Sequence, residues 1–508
     1  MASLPNLPVE LLFLTYSFLT HKHDLLALSL VSRKLRPSAQ KELHRTITLK
    51  QSNWAYGVQD LESSKIGYVL RTLIERPDLA KSVRKLNVVV VKHCLENRYQ
   101  ITSSDTCYSP WNISIRRMCQ DYLKRQEYCN ETWMTHIEAN YEPALTGLII
   151  ALVPSLESLR MRIYTNQEYA SAYCKISGFQ DLDFFSARAS HFSTRAFFGT
   201  EPKNFDISHI PGLASLKCIY FHSELPGQIV NSSNLRTAEF RLQRLPRCIA
   251  PTLSHTSKSS NITTLIIHFD VAVLEDQFDL VDAKYEYLKR MITSLKTLTY
   301  LSIQLYMPPW SNNTRIEPWG GYDKVLALVE NSTLKSLVID EANIDWSRRR
   351  WNDLRRGTTN YDIPCAAALL HLPNLQRIVA PQAFFFNAFK EDPTILCRRC
   401  EIPASVTSVE IIDPTSVAGV FAKHLLDCAG SYDGLRKIGL WYDVQKIHLV
   451  ANHGLDKILI SQPDLPSEEA EALQTAMKET SVWGRLKNAG IDVVEEWETK
   501  RGWRIVCD

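Results

Sequence analysis

Cys397 and Cys400 are separated by two arginines, and two thiolates at that spacing can hold one side of a tetrahedral zinc ion. His424 and Cys428, four apart on a predicted helix, would be the other side. The stretch between the pairs is longer than in a usual zinc finger. The simpler arrangement is two partly buried thiols beside a strand, with His424 on a solvated helix face, and we expect no metal and no cofactor. A second group lies at 345–362, where Trp346, Arg348, Arg349, Arg350, Trp351, Arg355 and Arg356 crowd together. Guanidinium groups beside indole rings can grip a phosphate or an acidic peptide through bidentate bonds and cation–π contacts. A charged loop in water is the simpler account there as well. His21 and His23 suit a solvated helix turn better than a metal site. No Gly-rich phosphate loop, Gly-x-Ser-x-Gly elbow or His-Glu-x-x-His pair occurs. We therefore expect no catalytic residue, and a protein that is not an enzyme.

These groups need a scaffold. The chain has 508 residues, more than one compact core accommodates, so two or more domains or an extended repeat array are expected. With 45% apolar and 22% charged residues it is neither disordered nor collagen-like. A net charge of +3 gives no basic field of the kind that binds nucleic acid. The start lacks a basic, then apolar, signal pattern, and apolar runs such as Leu148–Val153 fall far short of the ~20 residues of a membrane helix. A cytoplasmic or nuclear setting without membrane contact is expected, with the twelve cysteines as reduced thiols, mostly packed.

Charge is unevenly spread. Residues 1–50 carry seven basic and three acidic side chains, whereas the remainder of the chain is nearly balanced. An acidic partner for this segment follows. It is also apolar: 17 of the 32 residues from Leu4 to Leu35 are hydrophobic. Pro8 suits the first turn of a helix over Val9–Leu19. That helix places Leu11, Leu14 and Phe18 on one face and Leu12, Tyr16 and Leu19 on a neighbouring one. Asp24 can cap a second helix. Pro37 can open a third, reaching Leu43. Three short helices cannot enclose this much apolar surface among themselves, so something else must cover part of it.

The order Leu7-Pro8-Val9-Glu10-Leu11-Leu12, Phe18-Leu19, Asp24-Leu25-Leu26-Ala27-Leu28 and Val31-Ser32-Arg33-Lys34-Leu35 resembles an F-box motif. Leu35 stands where many members have tryptophan. The resemblance covers about 45 residues and implies a trihelical hook that docks on the acidic Skp adaptor of a cullin–RING ubiquitin ligase. By the same resemblance Leu7, Pro8, Leu11, Leu12, Leu19, Leu25, Leu28, Val31 and Leu35 serve either as adaptor contacts or as the hook's own core.

Beyond residue 50 an apolar-x-x-apolar-x-apolar pattern recurs. It starts at Val83, Leu156, Leu213, Ile262, Leu298, Leu334, Leu375, Val406 and Leu435, with a weaker copy at Leu235. Predicted helices precede several copies, as at 285–295 and 417–428, and Ile491–Trp497 reads as a closing strand. Helix, short turn, then Leu-x-x-Leu-x-Leu resembles a degenerate leucine-rich repeat of the kind found in fungal-type F-box proteins. A unit of this size cannot bury its own apolar side, so units must stack.

The expected fold is α/β: a trihelical F-box at 1–50, a linker helix region at 51–80, and an irregular leucine-rich-repeat-like solenoid at 81–508. Insertions fall at 92–150, 307–322 and 345–362, with helices predicted at 116–137 and 142–152. Strand residues directed away from the core would line a substrate face, for which we single out Arg160, Arg162, Lys217, Arg241, His268, Tyr300, Arg377 and Trp441. Asp340, Glu410 and Lys437 fall in the same series. The expected role is the substrate-recognition subunit of a Skp–cullin–F-box ligase, its partners being the adaptor, through it a cullin, and a protein target. The alternative is a Skp-bound scaffold outside any ligase.

Overall fold

The computed structural model describes residues 7–19, 21–49, 65–92, 110–139, 141–165, 193–200, 206–222, 227–230, 232–242, 260–270, 288–306, 329, 333–343, 369–385, 402–412, 434–443 and 491–498. Two compact units divide the chain: residues 1–243 with 251–262, and residues 244–250 with 263–508.

Unit 1 begins with three helices, α1 (Val9–Ser17), α2 (Lys22–Val31) and α3 (Arg36–His44). Pro8 sits one position earlier than expected, as the N-cap of α1, and Pro37 lies in the first turn of α3. Asp24 is not the cap of α2. His21 takes that place, and Asp24 lies inside the first turn, where its charge still favours the helix dipole. Both α1 and α2 pack on α3.

The chain passes from α3 almost directly into a strand, β1 (Thr46–Leu49). It pairs in parallel with β2 (Lys85–Lys92), which pairs with β3 (Ser158–Thr165), β4 (Cys218–Phe221) and β5 (Thr237–Leu242) in that order. Ile47, Leu86, Leu159, Ile219 and Ala238 share one register row, with Leu49, Val88, Met161, Phe221 and Phe240 in the next, and all are buried. Unit 2 repeats the plan. β6 (Thr264–Asp270), β7 (Tyr300–Tyr306), β8 (Ser336–Asn343), β9 (Arg377–Pro381), β10 (Ser408–Ile412), β11 (Lys437–Asp443) and β12 (Asp492–Glu498) pair in parallel, in chain order. Leu265, Leu301, Leu337, Ile378, Val409 and Ile438 form the buried row.

Parallel neighbours require a crossover between each pair. Because strand order follows chain order within each unit, the described strands form neither a closed barrel nor the order reversal at which doubly wound sheets form their ligand crevice. Within each unit most successive copies are joined the same way. The residue after the first apolar position offers its carbonyl to two consecutive amides of the next copy: Glu157 O takes Lys217 N and Cys218 N, and Thr299 O takes Lys335 N and Ser336 N. The residue before that apolar position also reaches back. Ser215 Oγ donates to Leu156 O at 2.8 Å, Thr333 Oγ1 to Leu298 O at 2.8 Å, and Ser405 Oγ to Leu375 O at 2.8 Å. Asn234 and Asn261 do so through Nδ2 at 2.7 Å, to Ala214 O and Ser233 O. Each tie is thus made by a short polar side chain at one position of the pattern.

One copy has a different frame. Ile219, not Leu216, stands in register with Leu159, so the copy is Leu216-Lys217-Cys218-Ile219-Tyr220-Phe221. Leu213 belongs to a short helix, Pro211–Ala214. Lys217 therefore lies ahead of β4, not on its outer face.

Helices α4 (Lys65–Glu75) and α5 (Pro77–Ala80) precede β2. Between β2 and β3 lie α6 (Pro110–Lys124), α7 (Glu131–Glu138) and α8 (Glu142–Leu152). The single helix expected over 116–137 is two, because Asn130 starts a new one: its Oδ1 accepts from Trp133 N at 2.8 Å. Its Nδ2 donates to Phe198 O at 2.8 Å, tying α7 to the short helix Thr194–Phe198. Trp133 is fully buried, donates Nε1–H to Ala144 O at 3.1 Å, and meets Phe198 edge-on at 5.4 Å. Every residue of α8 is buried, as befits an apolar helix enclosed by α4, α7, β2 and the two short helices. A Cβ at Gly147 would collide with the Phe197 carbonyl oxygen, which is why α8 carries glycine there. Asn130→Ala is expected to lower the unfolding free energy in urea by about 1–2 kcal/mol, the usual cost of a lost N-cap.

Candidate functional site

The first candidate surface is the helical knob α1–α3. Leu12, Tyr16, Leu25, Leu35 and Ala39 form its core, with Leu7, Leu19, Leu28 and Leu43 partly buried against it. Burial raises the Tyr16 hydroxyl above its ordinary pKa. Tyr16 follows Leu12 by one helical turn, so α1 commits that stripe inward. The stripe of Leu11, Leu14 and Phe18 points to solvent, Phe18 being 75% exposed. On α2, Leu26, Leu30 and Val31 are likewise exposed, Val31 at 81%. Soluble proteins rarely leave such clusters uncovered without a partner for them.

The nine residues singled out for adaptor docking thus divide. Leu12, Leu25 and Leu35 are core and cannot contact a partner. Leu7, Leu19 and Leu28 are partly buried, whereas Pro8, Leu11 and Val31 are exposed. Leu14, Phe18, Leu26 and Leu30 join the exposed group. The step of three from Leu11 to Leu14, of four from Leu14 to Phe18, and of four from Leu26 to Leu30 is the signal that marks them. Lys22, Arg33, Lys34, Arg36, Lys41 and Arg45 are all exposed. Lys22 Nζ donates to Thr46 O at 2.9 Å, fastening α2 to the first strand, and Arg36 Nε donates to Ser29 O at 3.0 Å, joining α3 to α2.

The second candidate surface is the outer side of each sheet, opposite the apolar rows. On unit 2 it carries a carboxylate held by two cations. Arg377 Nε meets Glu410 Oε1 at 2.7 Å, and Nη2 meets Oε2 at 2.9 Å. Lys437 Nζ lies 3.7 Å from the same carboxylate, and Ser408 Oγ donates to it at 3.3 Å. Val338, Val379 and Ile412 pack beside the pair, with Tyr300 against them. Burial raises the Tyr300 pKa, opposed by Arg377, so its hydroxyl stays protonated. This is a structural clasp between strands.

Tyr300 and Arg377 are thereby brought together, both half-buried. His268 is half-buried on β6. Trp441 lies on β11 in register with Ile412 and Glu496, and its side chain is outside the described residues. On unit 1, Arg160 is exposed with its guanidinium 5.0 Å from the Tyr220 ring centre, and Arg162 is half-buried. Arg241 is 2% exposed and cannot touch a target directly. Lys217, displaced from the face as described, pairs with Glu157 at 3.3 Å. Cys397, Cys400, His424, Cys428 and the Arg/Trp group at 345–362 lie outside the described residues.

Among the described residues no group of three His, Cys, Asp or Glu side chains could hold a metal ion, and no helix is long and apolar enough to cross a membrane. Cys119 is buried, and desolvation pushes its thiol up to about 12. It should resist a thiol reagent in the native protein and react only after denaturation, as read by mass mapping of the labelled peptide.

No family model matches the chain, and no curated protein matches it.

Proposed function

We propose that the protein is the substrate-recognition subunit of a Skp–cullin–F-box ubiquitin ligase. The amino-terminal knob is read as an F-box that docks on the Skp adaptor, and the parallel ladders behind it as a leucine-rich-repeat-like body that holds a protein target. The observation that carries this is the exposed apolar set Leu11, Leu14, Phe18, Leu26, Leu30 and Val31, in a segment whose residue order resembles the F-box. Six uncovered side chains, each contributing roughly 1.5–3 kcal/mol when fully buried, supply ample driving force for a stable complex. The basic side chains around them suit an acidic adaptor. Chain-order parallel pairing, with the same backbone bonds handed from copy to copy, supports the repeat reading of the body.

In this role the protein contributes proximity, not chemistry. One end grips the ligase and the other holds the target, which raises the effective concentration of target lysines at the charged ubiquitin carrier. The short passage from α3 into β1, with Lys22 fastened to Thr46, leaves little slack between the knob and the sheet of unit 1. The test is size-exclusion chromatography of the purified full-length chain with a recombinant Skp adaptor. Co-elution is expected, and separate elution would refute the proposal. Adding the cullin distinguishes a ligase subunit from a Skp-bound scaffold, since only the former is expected to recruit it.

A further inference from the structure

We propose that the helical knob has a second role as the amino-terminal cap of the parallel ladder in unit 1, so that the knob and the first two strands loosen together. This role goes beyond adaptor docking and does not depend on it.

A stacked ladder needs a terminal unit, because its first strand would otherwise present unpaired backbone groups along one side. Among the described strands β1 stands first in the order and pairs with β2 alone. It is four residues long, and its Ile47 and Leu49 belong to the buried rows.

The knob supplies that end. Only Arg45 separates α3 from β1. The Arg45 carbonyl takes Arg84 N at 2.9 Å and Lys85 N at 3.0 Å, the same two-amide bond that joins later copies. The pair α3–β1 therefore stands where the helix and strand of a copy would stand. α3 also packs on α5, the short helix that precedes β2. From α2, Lys22 Nζ donates at 2.9 Å to the carbonyl of Thr46, the first residue of β1. A charged donor on a backbone acceptor of the end strand is one way to close an edge.

The dependence runs in both directions. Helices α1, α2 and α3 have nine, ten and nine residues, fewer than the ~12–15 at which a helix becomes stable alone in water. Their common core reaches α3 through Ala39 and its N-cap residue Leu35. Loosening that core frees the helix that carries the Arg45 carbonyl, and with it the hold on the Arg84 and Lys85 amides.

The test is amide hydrogen exchange on the full-length protein, read at residues 46–49 and 84–88, with residues 377–381 of unit 2 as reference. Leu12→Ala opens the knob core and should speed exchange at both segments by about thirtyfold or more, with the reference unchanged. Lys22→Met keeps the stem and removes the donor. It should speed exchange at 46–49 by about three- to tenfold, and Lys22→Arg, which keeps a charged donor, should restore most of the protection. Faster exchange confined to α1–α3 in the Leu12→Ala protein would overturn the proposal. So would an unchanged first strand in Lys22→Met, or equal loss in Lys22→Arg. Excess adaptor should slow exchange in β1 as well as in the knob. Slowing of the knob alone would sink the cap and leave the adaptor role standing. No effect of the adaptor anywhere would count against that role, and the two variants would still decide the cap.

Discussion

Replacing Leu11 and Val31 together by aspartate is expected to weaken adaptor binding by at least about a hundredfold while leaving unfolding in urea unchanged. Both side chains are exposed, Leu11 at 46%, so neither change disturbs the knob's own packing. In a complex each would bury a carboxylate where an apolar group had been. The lost apolar burial alone is roughly 1.5–3 kcal/mol per residue, and an unpaired buried polar group costs more. Two such sites exceed the ~2.8 kcal/mol that corresponds to a hundredfold. Leu12→Asp is the instructive contrast. Leu12 is 4% exposed among Tyr16, Leu25, Leu35 and Ala39, so a carboxylate there collapses the knob, and loss of binding would say nothing about contact. Isothermal titration with purified adaptor measures the first variant, and circular dichroism separates it from the second. Full affinity in the Leu11/Val31 variant would mean that the adaptor, if it binds at all, does not use this face.

The adjacency of Leu11 and Leu12 also shows where sequence stops being sufficient. Helical periodicity separates two faces of α1, one with Leu11, Leu14 and Phe18 and one with Leu12 and Tyr16. Both are apolar, so periodicity cannot say which faces inward. That depends on α3, which supplies Ala39, and on its N-cap residue Leu35, which pack against the second face. The strands were far more legible. Each copy of the apolar pattern lies at or just before a strand, because a buried row needs the same alternation wherever it occurs. The exception, the copy at 213–221, has a cause: Leu213, Leu216 and Ile219 are all fully buried at spacings of three, so two frames fit equally well. Strand β1 was missed because Thr46–Leu49 is four residues long and follows a helix without the usual turn. A better signal was available. The position before the first apolar residue is Ser82, Ser155, Ser215, Asn234, Asn261, Thr297, Thr333, Asn374, Ser405 or Gly434 in successive copies, and several of these tie one copy to the last. The Arg377–Glu410 clasp could not have been read, since its partners are 33 residues apart and meet only through the register of β9 with β10.

That clasp sets the second large effect. Arg377→Leu is expected to destabilise the β9–β10 region by about 2–3 kcal/mol, less than the 3–5 kcal/mol found when a fully buried pair is broken. The discount has two sources: the Arg377 side chain is 35% exposed, and Lys437 remains 3.7 Å from the carboxylate. Glu410 is only 1% exposed, so loss of the guanidinium takes away the bidentate partner of a buried carboxylate. Leucine at both positions should recover most of the loss, because removing the carboxylate with its partner leaves no uncompensated charge beside Val338, Val379 and Ile412. The two units need not unfold together, so the reporter should be local: amide hydrogen exchange across Arg377–Pro381 and Ser408–Ile412. A single substitution costing under about 0.5 kcal/mol would show the pair behaving as an ordinary surface bridge.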